Sequence, residues 1–137
     1  MCQTKYLGGL VIAAVCVAVS YTQVAEAANM RVTNVAMATD GNVQFDIAWD
    51  DSWHVAWKES DTEWTNWDAA WVFVKYRKEG DPGWSHATLS ANEADHSAPE
   101  GATIKVGLTG TKGMGVFLYR STDGKGTWTN KGVKLKW

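Results

Sequence analysis

The residues best suited to chemistry lie between positions 50 and 68. Trp53, Trp57, Trp64 and Trp67 stand there among Asp50, Asp51 and Asp61. An exposed indole stacks on the apolar C–H face of a sugar ring, and carboxylates beside it accept hydrogen bonds from the hydroxyls. Binding is thus the chemistry this segment suits. Hydrolysis is not. Asp50 and Asp51 are adjacent, and neighbouring side chains on an extended chain point to opposite faces, so they do not converge as a carboxylate pair. His54, His86 and His96 are scattered, no Gly-x-Ser-x-Gly elbow accompanies them, and they read as solvated. Neither His-Glu-x-x-His nor EF-hand spacing occurs. Asp46, Asp50, Asp51 and Asp68 have the oxygens calcium prefers, but turn-forming, solvated acids are the simpler reading. The expectation is no catalytic residue, no metal and no cofactor. The ligand-binding set is Trp53, Trp57, Trp64, Trp67, Asp50 and Asp51. In the competing structural reading the same tryptophans plug one end of a core.

The elements that must hold these residues are strands. Val43, Phe45, Ile47 and Trp49 alternate with Gln44, Asp46 and Ala48, the period-two pattern of a sheet with one packed face. An earlier edge strand spans 30–38, and Asp40-Gly41-Asn42 between the two is a hairpin signal. Positions 50–68 are rich in Ser, Asp, Thr and His, which favour turns over helix interiors, and read as a long loop with at most one helical turn. Positions 69–77 are apolar on both faces around Trp71–Val74, as in a central strand covered on both sides. Glu79 to Gly83 is a turn, 84–89 a short strand and 90–101 a loop. Positions 102–108, 115–120 and 128–137 alternate again, with turns at 109–113 and at Asp123-Gly124-Lys125-Gly126. Trp49, Trp71 and Trp137 fall on strand faces and are expected in the core. The sum is an all-β, antiparallel β-sandwich of about seven or eight short strands.

The chain has 137 residues, a net charge of −2 and nine tryptophans. Lys5, an apolar run from Leu10 to Val19 and the small residues Ala25 and Ala27 form a secretory signal in the usual order. Its apolar run is about half of the ~20 residues a spanning helix needs, and cleavage is expected after Ala27. Domains are therefore 1–27, a helical signal peptide, and 28–137, the sandwich. Cys2 and Cys16 leave with the signal, so the mature domain has no disulfide. All nine tryptophans stay. A slightly acidic domain lacks the footprint for nucleic acid or anionic membrane. The expected product is secreted or on the cell surface, with a glycan or an envelope protein as partner and no stable membrane insertion.

The words VQFDIAWDDSW (43–53), NWDAAWVFVKY (66–76), WSHATL (84–89) and GVFLYRSTDGKGTWTNKGVKLKW (115–137) carry a resemblance. They resemble a β-rich module of bacterial secreted proteins that typically precedes a domain similar to the formylglycine-generating enzyme (sulfatase-modifying factor). The resemblance spans nearly all of 30–137. That second domain is absent here, as are the copper-binding cysteines its chemistry needs, so no catalytic residue carries over. What the resemblance implies is a non-catalytic accessory module, found alone or as the stump of a truncated multidomain protein. A structural or assembly subunit, and a partner of a separately encoded enzyme-like protein, are the alternatives.

Overall fold

The computed structural model describes residues 29–137. The signal read over 1–27 lies outside them, as do both cysteines. The described residues form nine strands: β1 (Arg31–Met37), β2 (Val43–Glu59), β3 (Thr62–Trp67), β4 (Ala70–Val72), β5 (Lys75–Tyr76), β6 (Ser85–His86), β7 (Ala102–Thr109), β8 (Lys112–Arg120) and β9 (Gly124–Leu135). The one helical element among the described residues is a 3-10 turn at Glu93–Asp95. No helix there is long and apolar enough to cross a membrane.

All pairings are antiparallel. In the first sheet β9 flanks β2 from Val43 to His54, while β1 and β3 share the opposite edge of β2 end to end. The second sheet has the order β4-β8-β7, and β5 pairs only with β6. Between the two main sheets lies a shared core of Val43, Phe45, Ile47 and Trp49 from β2, Ala70 from β4, Val116 and Leu118 from β8, and Val133 and Leu135 from β9. Period-two alternation in β2 is what delivers these side chains, because every second residue from Val43 to Trp49 turns inward. Each fully buried Val, Leu, Ile or Phe contributes about 1.5–3 kcal/mol.

Several local expectations hold. The Asp40-Gly41-Asn42 turn closes β1 on β2, with Gly41 at φ 81° and the Asn42 N–H donating to the Asp40 carboxylate at 3.0 Å. Others are corrected. Segment 50–68 is not a loop: β2 runs on to Glu59, and β3 returns along it with Trp57 opposite Trp64 and Glu59 opposite Thr62. A bulge between Trp49 and Ser52, with Asp51 at φ 56°, shifts the alternation by one, so the single inward parity of 43–49 does not continue. The strand at 69–77 is not central. It splits into β4 and β5, and β4 is an edge whose Trp71 faces outward. Trp137 is likewise exposed, beyond a second irregularity in β9 at Gly132 (φ 72°). The Asp123–Gly126 turn does not make a hairpin. It carries the chain from β8 in one sheet to β9 in the other.

The β2–β3 arm turns through two residues, Ser60 and Asp61, with Ser60 at φ 54°. A left-handed conformation costs a residue with a Cβ about 1 kcal/mol that glycine avoids. Ser60→Gly is expected to raise unfolding free energy by about 0.5–1 kcal/mol, measured by urea denaturation. A lowered midpoint would contradict this account of the turn.

Candidate functional site

The arm is held to the body of the domain by Asp68. Its carboxylate accepts from the Trp49 indole Nε1 at 2.6 Å, from the Ser52 hydroxyl at 3.2 Å and from the Trp53 backbone N–H at 2.8 Å. Its own N–H donates to the Trp53 carbonyl at 3.1 Å. Ser52, fully buried, also accepts from Arg120 Nε at 3.0 Å, and Arg120 Nη2 donates to the Gly126 carbonyl at 3.0 Å. The Arg120 guanidinium lies 5.4 Å over Trp128, which meets Trp49 edge-on at 4.8 Å. One carboxylate thus serves the donors that the β2 bulge leaves free, and one arginine joins β8 to β2 and β9.

Beyond this junction the arm is exposed. Trp57 and Trp64, opposed in register, are 44% and 49% exposed. By alternation Trp53 and Val55 share their face, while Trp67 and His54 take the other. The sequence-derived set is therefore divided. Trp53 is half-buried at the base of the arm; Trp57 and Trp64 form its outer pair, beside a cleft of about 390 Å³ lined by Ala56, Trp57, Lys58, Asp61 and Glu63. Trp67 is elsewhere, between the His54 ring at 5.9 Å and the Tyr119 ring at 4.9 Å, nearly parallel to both.

The two acids of the set do not reach this pair. Asp50 binds Arg31 at 3.1 Å, Asn29 at 3.0 Å and Thr127 at 3.0 Å, and these donors hold its carboxyl down at about 2. Asp51 is exposed on the bulge. The other acids are also separately engaged. Asp46 accepts from Asn34 Nδ2 and the Gly132 N–H, each at 2.7 Å, and both hold its carboxyl below the usual range. Among the described residues no three His, Cys, Asp or Glu side chains converge as a metal site. His96 is buried rather than solvated: its Nδ1 accepts from the Lys136 N–H at 3.1 Å, so its Nε2 donates to the Ser90 carbonyl at 3.0 Å.

Sequence reading missed the outer face of the β4-β8-β7 sheet. Trp71 and Phe117 are 41% and 45% exposed, with ring centroids 4.7 Å apart. The available signal was the pair of glycines at 107 and 115, which an indole needs beneath it. An apolar groove of about 270 Å³ also opens between β1 and β4, over Val43, Phe45 and Ile47. Met30, just before β1, and Val32 and Val35 of the exposed β1 edge form its rim.

Removing the Asp68 carboxylate orphans two side-chain donors and one backbone donor, each costing about 1–3 kcal/mol where buried. Asp68→Ala is expected to lose about 2–4 kcal/mol in urea unfolding. Asp68→Asn also destabilises, because one carboxylate oxygen becomes an NH₂ donor; wild-type stability in either variant would remove Asp68 from its role.

Comparison with known protein families, with curated proteins and with solved structures finds no match to this chain.

Proposed function

We propose that the domain is a non-catalytic, secreted or cell-surface interaction module that binds glycan through the tip of the β2–β3 arm. The observation that carries this reading is the exposed cross-strand pair Trp57–Trp64 on a paired hairpin. Opposed residues of an antiparallel pair hold their Cβ atoms about 4.5–5.5 Å apart, so the two exposed side chains rise from adjacent points on one face of the arm. Asp61 at the turn supplies an acceptor for sugar hydroxyls, while the register pair Lys58–Glu63 stands on the opposite face of the arm. Little conformational entropy is lost on binding, because tryptophan has only two side-chain torsions and the arm is already a paired strand. The resemblance to the accessory module of secreted proteins supports a non-catalytic role.

A glycan array probed with the wild-type protein, Trp57→Ala and Trp64→Ala tests this. Each substitution is expected to weaken binding by about tenfold, or about 1.4 kcal/mol, with an unchanged circular-dichroism spectrum, since both side chains are exposed. Wild-type binding by both variants would overturn the role of the arm. The second reading, an assembly subunit, is favoured by β1, an edge strand exposed along its whole length, Val32, Val35 and Met37 included. Light scattering that grows with protein concentration and is abolished by Val35→Lys would favour it. A strict monomer would exclude it.

A further inference from the structure

We propose that the outer face of the β4-β8-β7 sheet is a second carbohydrate surface, separate from the arm, which takes an extended chain of neutral hexopyranose units with Trp71 as its central stacking residue. The first argument is how Trp71 is seated. Gly107 and Gly115 are register partners on β7 and β8, and the benzo half of the Trp71 indole covers both. A Cβ at Gly107 would meet the ring at 2.5 Å, and one at Gly115 would meet it at 2.6 Å. Two strands thus omit side chains so that one indole can lie down on the sheet. Yet the indole remains 41% exposed. A ring placed to fill a core would be covered. This one is fixed in place with part of its surface left to solvent.

The second argument is continuity. Three aromatic pairs follow one another, the middle one on this sheet and the outer two reaching it from β3 and from the β5–β6 pair: Trp67 with Tyr119 at 4.9 Å, Trp71 with Phe117 at 4.7 Å, and Phe73 with His86 at 5.5 Å. By the β4–β8 register Tyr119 lies level with residue 69, so at about 3.3 Å per extended residue the row from Tyr119 to Phe73 is about 13 Å long. That length suits a short run of sugar units rather than a single small ligand.

The third argument is charge. Lys105 stands in register with Phe117, and its ammonium pairs with the Glu93 carboxylate at 2.9 Å. The pair sets a donor and an acceptor beside the rings, and the Lys75 ammonium, 5.9 Å from the Phe73 ring centroid, adds a further donor. A pyranose matches both features, since it has a flat C–H face and a rim of hydroxyls that donate and accept. The ligand class is shared with the reading of the arm and rests on it, but the residues are different, so the two stand or fall separately.

The test is binding to suspended cellulose and chitin and to soluble cellohexaose. The proteins compared are wild type, Trp71→Ala, Gly107→Ala and the double variant Trp57→Ala/Trp64→Ala. Gly107→Ala is the sharper probe: its added methyl meets only Trp71 at close range and lifts the ring from its seat. Trp71→Ala and Gly107→Ala are each expected to weaken binding to at least one of these probes by about tenfold while thermal unfolding midpoints stay close to wild type. The double variant keeps that component. If Trp71→Ala and Gly107→Ala bind as wild type while the double variant fails, the ribbon is overturned and the arm stands. If only the Trp71 and Gly107 variants fail, the arm loses its role and the ribbon stands. Absence of wild-type binding to all three probes overturns the ribbon, as does loss in these variants of a protein partner alone.

Discussion

The Asp68 carboxylate is the junction on which the rest of the structure turns. A bulge in a long strand leaves backbone and side-chain donors pointing inward with no ladder partner, and unmet donors inside a fold are costly. Asp68 meets three of them at once, on Trp49, Ser52 and Trp53. Because Ser52 also engages Arg120, the network passes from the first sheet to the second without a break. The bulge allows β2 to serve two ends of the molecule: before it, the strand fills the core; after it, the strand leaves the sandwich as an arm. Asp68 ties the two parts together.

The tryptophans divide accordingly. Trp49 is buried at the junction and Trp128 braces it, so these two belong to stability. Trp57, Trp64, Trp71 and Trp84 are each at least two-fifths exposed. Scattered exposed aromatics are ordinary, but rings paired across strands or lying on a glycine floor are held in defined positions. In the described residues no disulfide contributes, and the sheets are joined instead by apolar burial and the Asp68–Ser52–Arg120 network.

Much of this was legible in the sequence, and the losses share one cause. Alternation located β2 up to Trp49, as well as β7, β8 and the end of β9, because one packed face leaves a clear period. It failed at the bulges. After Asp51 the parity shifts, so Trp53, Val55 and Trp57 no longer continue the pattern of Val43–Trp49, and a polar hairpin with Ser60-Asp61 at its turn lacks the usual Asn-Gly mark. Trp71 was misplaced for a related reason. An apolar run on both parities signals a covered strand, but here the outward half is an aromatic ribbon facing solvent. Of the candidate set, Trp57 and Trp64 are exposed and opposed on the arm. The set joined to them Trp67 and two aspartates that lie on another face or hold other partners. Asp68, which positions the arm, looked like one more acid in a polar stretch.

The pairing of β2 with β9 has a kinetic consequence. Val43 meets Leu135, so the central contact of the first sheet closes across most of the described chain. Such distant pairings slow folding, because the intervening loop must be ordered before the contact can offset that loss. Hairpins β1–β2, β2–β3 and β7–β8 are local and can assemble early. The core between the sheets is completed only when β9 arrives, and until then Phe45, Ile47 and Trp49 have one flank open. Closure of the core therefore requires β9, whose Val133 and Leu135 cover what the local hairpins leave open.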